Sequence, residues 1–395
     1  VFFFAFIPAT NAQDTVSLQR AIQLAVQNNN SIKNENAKAA YAKALVNTAA
    51  DIPKTNLIAE YGQINSAYND TRFSISQSIA FPAVYKKQKQ LLNAEWKINV
   101  LGVSLKEHEI KKAVTLAFYN CIYLKEKEKL LLQADTLYNN FYQKATLRLQ
   151  KGESNILEKT TAEAQRANIE IQLQQLRQEI TIALLELQLL MNTDTVLVPS
   201  SSVARLQYVA AVDSTNNPLL ALLQQQKQTA ISQTAFEKSK LLPDLLLAYN
   251  NSSFTGTGAD DKVYTSSQRF NSVQVGVGIP IFASGQKAKV KAMKQAEAIA
   301  ESQYQLQAQA LQAQHKKLLA AYQTNTEIVK YYEETGLKNA SLILQTANKQ
   351  FAKGEINYLD FGMLANQALA IQSNYADAVK ALNDNVTQLN YLTTK

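Results

Sequence analysis

Residues 151–153 read Lys-Gly-Glu, and the same three residues return at 353–355, about two hundred positions later. Each copy interrupts a long stretch, rich in Gln, Ala and Leu, that otherwise has the pattern of a helix. Prolines repeat at a similar distance, since Pro82 and Pro280 each end a run of alternating residues and precede a helix-like stretch. A period this long indicates a duplicated domain rather than a short solenoid unit.

The composition predicts long helices and excludes several classes of site. The 395 residues contain only 11 Gly and 7 Pro, which leaves few helix breaks for a chain of this length. A single cysteine, Cys121, excludes an intramolecular disulfide. His108 and His315 lie far apart without a nearby cysteine, so we expect solvated histidines, no metal site and no cofactor. The net charge of +8 is spread thinly, which argues against nucleic acid as a partner.

The first twelve residues differ in kind from the rest of the chain. Residues 1–7 are apolar, and Thr10 and Ala12 place small side chains at the −3 and −1 positions of a cleavage site before Gln13. We therefore expect residues 1–12 to be the remnant of a secretory signal peptide. No other stretch reaches the length of a transmembrane helix, so any membrane contact must use strands or a surface.

Two structural repeats are predicted, joined by a linker or equatorial segment at residues 194–216. Each repeat contains a helix, a β-hairpin, a long helix and a further helix, in that order. In the first repeat, residues 13–193, the last three elements are expected at about 54–82, 83–149 and 155–191. In the second repeat, residues 217–395, they are expected at about 244–282, 284–353 and 356–392.

Alternating residues predict the strands. In residues 272–281, Val and Ile alternate with Ser, Gln and Gly, and residues 73–81 show the same period, although Gln77 interrupts the apolar positions. Residues 250–267, rich in Gly, Asp, Thr and Ser, read as a long exposed loop. One apolar and one small polar face is the pattern of an outer-membrane barrel strand. Four strands cannot close a barrel, and lipid tolerates no open edge, so three chains with four strands each would form a 12-stranded barrel.

The long helices carry a coiled-coil pattern. At 1.5 Å per residue, either long helix would span roughly 100 Å. A soluble coiled-coil scaffold would explain these helices but not the membrane-length hairpin before each of them. Apolar residues recur every seven positions in two series, as expected for a left-handed coiled coil: Val103, Ile110, Ala117, Leu124, Leu131, Tyr138 and Ala145, then Phe361, Ala368, Tyr375, Leu382 and Leu389.

Three segments, taken in this order, resemble the TolC-like outer membrane efflux channels, and the resemblance covers Asp14 to Lys395. The first is Leu242-Pro243-Asp244, before the third strand, and the second is Gly278-Ile279-Pro280-Ile281-Phe282, which leads to Gly285. The third is Phe351-Ala352-Lys353-Gly354-Glu355, followed by Tyr358-Leu359-Asp360. The resemblance implies a mainly α-helical homotrimer in which a 12-stranded membrane β-barrel continues into a long α-helical coiled-coil tunnel in the periplasm.

The resemblance also implies a function. Such a protein is not an enzyme but a passive exit duct in the outer membrane of a Gram-negative bacterium. Its partners are two further copies of itself, outer membrane lipid, a periplasmic membrane-fusion adaptor and an inner-membrane pump, here expected to be of the resistance-nodulation type for metal cations or drugs. Residues 81–85 are similar to channels paired with heavy-metal cation pumps. The alternatives are an outer membrane component of type I protein secretion, or a periplasmic coiled-coil adaptor or scaffold.

Family positions map onto the two Lys-Gly-Glu turns. The resemblance implies that these helical tips dock the adaptor, through Lys151, Gly152, Glu153, Lys353, Gly354 and Glu355. It further implies an acidic aperture formed by Asp360, with Glu158 at the matching place in the first tip. Met363 stands where the family has its second acidic site, and Ile356 stands where a basic residue can lock the tip, so any gate here is expected to be more apolar. A good helix-reversing turn would explain the same residues without docking.

Basic and aromatic residues follow the second strand of each hairpin. Long cationic side chains and aromatic rings suit the headgroup level of a membrane, so we predict a membrane-interface collar, with ordinary helix-surface lysines as the alternative. Its members are Phe81, Tyr85, Lys86, Lys87, Lys89, Phe282, Lys287, Lys289, Lys291 and Lys294.

Overall fold

The computed structural model describes residues 15–200, 205–208 and 217–393. The expected signal-peptide remnant at residues 1–12 lies outside them. Two compact units divide the chain. The first takes in the described residues within 1–34, 104–218 and 308–395, and the second takes in residues 35–103 and 219–307. Each unit therefore draws segments from both predicted repeats.

Helices account for most of the described residues, and eight strands lie between them. In chain order the elements are β1 (Thr15–Val16), α1 (Leu18–Asn28), α2 (Asn30–Leu45), a 3₁₀ turn (Val46–Ala50), β2 (Asn56–Gly62), β3 (Asp70–Ile79), α3 (Pro82–Gln150), α4 (Ile156–Met191), β4 (Val198–Pro199), α5 (Pro218–Ser239), β5 (Asp244–Ser253), β6 (Gly256–Thr257), β7 (Val263–Tyr264), β8 (Arg269–Gly278), α6 (Ser284–Tyr331), a π-helical turn (Tyr332–Gly336), α7 (Leu337–Lys353) and α8 (Tyr358–Thr393).

Local signals set several helix ends. The Ser17 side chain accepts a hydrogen bond from the Arg20 amide and so caps the start of α1. Asn29 separates α1 from α2, and its side-chain oxygen accepts from the Ser31 amide at 2.9 Å. At the end of α4, Asn192 adopts the left-handed conformation with φ of 48°.

The second unit contains a four-stranded antiparallel sheet with the order β2-β3-β5-β8. The pair β2–β3 and the pair β5–β8, which are far apart in sequence, join through the pairing of β3 with β5, in which Ile75 lies opposite Tyr249. This order leaves β2 and β8 as the two edge strands of the sheet within one chain. Both edges carry unpaired backbone groups, which a closed sheet would have to satisfy with another strand.

The register places most large apolar residues of the sheet on one face, while Ile58, Leu246 and Phe270 lie on the other. Leu57, Ile75, Tyr249 and Val273 lie in one row across the four strands, because the pairs Leu57–Ile75, Ile75–Tyr249 and Tyr249–Val273 are all in register. This face is exposed, with Leu57 78% and Val273 76% accessible. The opposite face is mostly small and polar. Gln77 lies on the apolar face as expected, but its side chain bonds Thr55 and the Pro53 carbonyl, so its polar atoms are satisfied locally.

The first unit is a helical assembly whose seam matches the seven-residue pattern. Tyr138 and Ala145 on α3 are fully buried, as are Ala368 and Leu389 on α8. Tyr138 and Ala145 belong to an apolar cluster in which residues of α3, α4, α7 and α8 pack together. The coiled-coil prediction is therefore confirmed within this unit.

Three features differ from the sequence-based expectation. The second long helix is interrupted by the π-helical turn Tyr332–Gly336. The loop expected at residues 250–267 is partly ordered, since β5 extends to Ser253 and β6 pairs with β7. His108 is partly buried rather than solvated, and its ring packs edge-on against Tyr391 with centroids 5.2 Å apart. Long-range packing caused the last difference, because Tyr391 lies on the final helix.

Candidate functional site

The two Lys-Gly-Glu turns have the same backbone geometry. In the first, the Gly152 amide donates to the Leu149 carbonyl and the Glu153 amide donates to the Arg148 carbonyl. In the second, the Gly354 amide donates to Phe351 and the Glu355 amide donates to Gln350. This pair of bonds is the Schellman motif, which ends a helix by placing one residue in the left-handed region. Gly152 and Gly354 occupy that place with φ of 72° and 73°.

The helix that follows each turn begins in the same way. The Asn155 side chain accepts a hydrogen bond from the Glu158 amide, and the Asn357 side chain accepts one from the Asp360 amide at 2.9 Å. Both asparagines are therefore N-caps, and Glu158 and Asp360 both stand three residues further along. An acid in the first turn of a helix interacts favourably with the helix dipole.

The two acids differ in their partners. Glu158 is 4% exposed, and its carboxylate pairs with the Arg148 guanidinium at 3.0 Å and accepts a hydrogen bond from Ser154. At the corresponding places before Asp360 the chain has Gln350 and Ile356. Among the described residues, no ion pair holds the partly exposed Asp360 carboxylate. Glu158 therefore stabilises its own turn, whereas the Asp360 carboxylate is available to a ligand or to solvent.

Exposed apolar side chains surround both turns. Leu157 and Leu359 are each 60% exposed at matching positions of α4 and α8, and Met363 is 64% exposed one turn beyond Leu359. Large apolar groups at a helix start are not needed for the turn itself. They form an exposed apolar surface next to the charged Lys-Gly-Glu residues.

Aromatic rings pack between the helical hairpins α3–α4 and α7–α8 near these turns. Phe351 and Phe361, on either side of the second turn, stack with centroids 4.8 Å apart. Phe141 of α3 packs against both rings, at 5.4 and 5.5 Å. Tyr138 adds a hydrogen bond from its hydroxyl to the Asn366 side chain at 2.7 Å. The two turns are therefore held by one shared core in the first unit.

The predicted collar residues lie just beyond β3 and β8, and most of them are exposed. Phe282 is 98% exposed, which is unusual for a phenylalanine. The Tyr85 hydroxyl accepts a hydrogen bond from the Ala80 amide and so holds the ring at the end of β3. Lys89, Lys287, Lys291 and Lys294 are also exposed. A ring that is fully accessible in one chain indicates a surface that meets lipid or protein.

The collar residue Lys289 pairs with a buried carboxylate. Glu237, only 2% exposed near the end of α5, binds Lys240 at 3.1 Å and Lys289 at 3.2 Å. Gln286 also donates to the Glu237 carboxylate, at 3.0 Å. Burial by itself raises the pKa of Glu237, but these hydrogen bonds outweigh it and hold the pKa below its usual value. Glu237 therefore stays ionised and ties the end of α5 to the start of α6.

Several of these residues were not expected from the sequence. Asn155 and Asn357 repeat at the same distance as the two Lys-Gly-Glu turns, so the repeat could have identified both caps. Arg148 and Glu237 could not have been found in this way, because their roles depend on distant helices or on the fold of the turn. Among the described residues, no group of His, Cys, Asp or Glu is arranged to hold a metal ion. None of the described helices has the length and apolarity required to span a bilayer.

Comparison with known proteins agrees with this architecture. Residues 214–394 match the family model described as "Outer membrane efflux protein". No curated protein sequence matches the chain.

Solved structures match almost the whole chain. A crystal structure of CusC has a TM-score of 0.80 at 17% identity, covering 99% of this chain and 96% of CusC. The Campylobacter jejuni outer membrane channel CmeC has a TM-score of 0.79 at 15% identity, covering 99% and 90%. The Vibrio cholerae outer membrane protein VceC has a TM-score of 0.75 at 15% identity, covering 95% and 96%.

These matches confirm the resemblance inferred from the three sequence segments, and the family's description agrees with the predicted outer membrane location. Residues 214–394 thus match the outer membrane efflux protein family model, and over nearly its full length the chain has the fold of the solved outer membrane channels.

Proposed function

We propose that this protein is the outer membrane exit duct of a tripartite efflux system, in which it passively conducts substrate delivered by an inner-membrane pump. The observation that carries the proposal is the four-stranded sheet, with one exposed apolar face and two unpaired edge strands. A sheet of this kind is stable in lipid only when its edges are closed. Three copies would supply twelve strands and close them.

The proposed orientation follows from the two faces of the sheet. The apolar face meets outer membrane lipid, and the small polar face lines a water-filled lumen. The collar of lysines and aromatic rings then lies at the periplasmic headgroup level, where cationic and aromatic side chains are favourable. The helices extend from this side into the periplasm of a Gram-negative bacterium.

The Lys-Gly-Glu turns are proposed to dock a periplasmic adaptor. Their support is chemical: each turn presents an exposed leucine, Leu157 or Leu359, beside a lysine and a glutamate. Apolar contacts with a charged rim are typical of protein interfaces. The pump is proposed to be of the resistance-nodulation type, carrying metal cations or drugs.

The aperture is proposed to lie at the second turn. Three unpaired Asp360 carboxylates around one axis would attract cations and repel anions. Met363 would add an apolar ring one helical turn away. Glu158 remains part of the proposed aperture region, but its charge is compensated by Arg148, so its contribution to the electrostatic potential is expected to be smaller.

Single-channel recording in planar bilayers tests this function. Purified protein is expected to form channels with cation preference, and Asp360→Asn should shift the reversal potential in a salt gradient towards that of a non-selective pore. Glu158→Gln is the matched comparison and should shift it less. Failure of assembled wild-type protein to conduct ions would contradict the proposed channel function. Identical reversal potentials for wild type and Asp360→Asn would contradict only the assignment of the aperture to Asp360.

A further inference from the structure

Arg269 is the first residue of β8 and lies at the end of the sheet's apolar face. It is in register with Ser253 at the end of β5, next to the row that contains Asn251 and Asn271. The helices α3 and α6 follow the other ends of β3 and β8. Arg269 therefore marks the boundary of the apolar face on the side of the hairpin turns.

Neighbouring side chains fix the position of its guanidinium group. The Arg269 Nε donates to the Asn251 side chain at 2.7 Å, and one terminal nitrogen donates to the Asn251 carbonyl at 3.1 Å. The other terminal nitrogen donates to the Thr71 hydroxyl. The guanidinium also lies 5.4 Å from the centre of the Phe73 ring. These contacts use three of the five N–H donors of an arginine and hold the group against the sheet.

All of these contacts are neutral, and this sets Arg269 apart from the other arginines. Five of the seven arginines pair with a carboxylate: Arg72, Arg148, Arg166, Arg177 and Arg205. Arg20 forms no such pair but is exposed on α1. Arg269 is partly buried and has no carboxylate within ion-pair distance in the described part of the chain. An anion nearby would stabilise a guanidinium group that is partly removed from water.

The described residues offer no acid to this position. Asp70 directly precedes Thr71, but its carboxylate accepts hydrogen bonds from Ser66, Ser253 and the Asn65 amide. No acidic residue lies on the apolar face of any of the four strands. Glu60 of the edge strand β2 belongs to the opposite face and pairs with Arg72. A second copy that pairs through the same edge strands therefore brings no carboxylate to the apolar face either.

We propose that Arg269 binds a phosphate group of an outer-leaflet glycolipid of the lipid A type. The inference rests on the proposed function, because that function puts the turn side of the sheet at the outer leaflet. Arginine presents paired donors that match two phosphate oxygens, and a headgroup phosphate lies where an apolar face meets water. The acyl chains of the same lipid would cover Phe73 and the neighbouring valines.

Lipid binding to the purified assembled protein tests the proposal. Affinity would be measured for diphosphorylated lipid A, for the same lipid after dephosphorylation, and for inorganic phosphate. Wild type should prefer the phosphorylated lipid, and Arg269→Gln should bind it about tenfold or more weakly, since a charge-assisted hydrogen bond is lost. Arg269→Lys keeps the positive charge but loses the paired donors of the guanidinium group. Its affinity for the phosphorylated lipid should lie between those of wild type and Arg269→Gln.

Arg72→Gln is the matched control, because Arg72 lies on the opposite face of the same sheet. It should bind the phosphorylated lipid as wild type does. Equal binding of both lipid forms by wild type, or unchanged binding by Arg269→Gln, would overturn the proposal. If inorganic phosphate binds with the same affinity as diphosphorylated lipid A, the site binds a free anion, and the proposal is overturned. Conductance of the same preparations separates the outcomes, because a conducting channel without lipid preference leaves the proposed function intact.

Discussion

At the scale of single residues, the repeat keeps the geometry of the turns and changes their electrostatics. Both turns share a left-handed glycine and an asparagine cap, so Glu158 and Asp360 begin their helices at equivalent positions. The difference arises near the end of the preceding helix and in the turn itself, where Arg148 and Ser154 of the first hairpin correspond to Gln350 and Ile356 in the second. These two changes replace a buried, paired acid with a partly exposed acid that has no ion pair among the described residues.

Neutralising these two acids is therefore expected to have unequal effects on stability. Glu158→Gln should destabilise the protein by about 1–3 kcal/mol, because Arg148 and Ser154 lose a charged partner. Asp360→Asn should change stability by no more than about 0.5 kcal/mol, the usual range at an exposed position. Denaturant-induced loss of helical circular dichroism would measure both. Equal destabilisation by the two variants would contradict the assignment of the buried pair.

At the scale of elements, the π-helical turn Tyr332–Gly336 is the largest departure from the predicted helix pattern. Its Glu333 binds Arg205 at 3.3 Å and accepts a hydrogen bond from the Tyr375 hydroxyl at 3.3 Å. Gly336 is buried there, and a Cβ atom at this position would lie 2.8 Å from a Tyr332 ring carbon. The turn therefore depends on tertiary contacts and on a residue without a side chain.

A pair of glycine substitutions tests this dependence. Gly336→Ala should destabilise the first unit by about 1–3 kcal/mol, since the added methyl group overlaps the Tyr332 ring. Gly362→Ala, within α8, has open space around its Cβ and should stabilise the helix by about 0.5–1 kcal/mol. Thermal or denaturant unfolding would compare them. A neutral Gly336→Ala would show that the ring moves aside at no cost.

At the scale of the whole molecule, the proposed membrane location assigns opposite environments to adjacent residues of one strand. Val275 is 71% exposed on the apolar face, and Gln274 lies on the polar face, in register with Ala248. A soluble sheet would make no strong distinction between charges at these two exposed positions. A sheet in lipid would distinguish strongly between charges at these two positions, because only one of its faces lacks water.

Lysine substitutions at these adjacent positions measure the difference. Val275→Lys should cost about 2–4 kcal/mol if the residue lies near the bilayer midplane, and less near an interface. Gln274→Lys should assemble normally and alter conductance at most. Yield of assembled protein in the outer membrane fraction would report the effect. Equal yields for the two variants would contradict the lipid-facing assignment.

The strands, the long helices and their seam were predictable because each depends on a local period. A period of two in residues 272–281 marks β8, and the seven-residue series marks the buried side of α3 and α8. The family could also be identified, since its turn sequences are local. Several helix bounds also follow from local residues, since Gly152 and Gly354 end α3 and α7 and Asn155 and Asn357 cap the starts of α4 and α8.

Other features were decided only by tertiary structure. The sequence alone could not show that Arg148 neutralises Glu158, that Glu237 holds Lys289, or that Arg269 has no acidic partner among the residues that the structure describes. Charge pairing depends on distances between side chains from separate segments, which a period along the chain does not encode. Local order therefore came from residue spacing, whereas the state of each charged group came from the packing of distant segments around it.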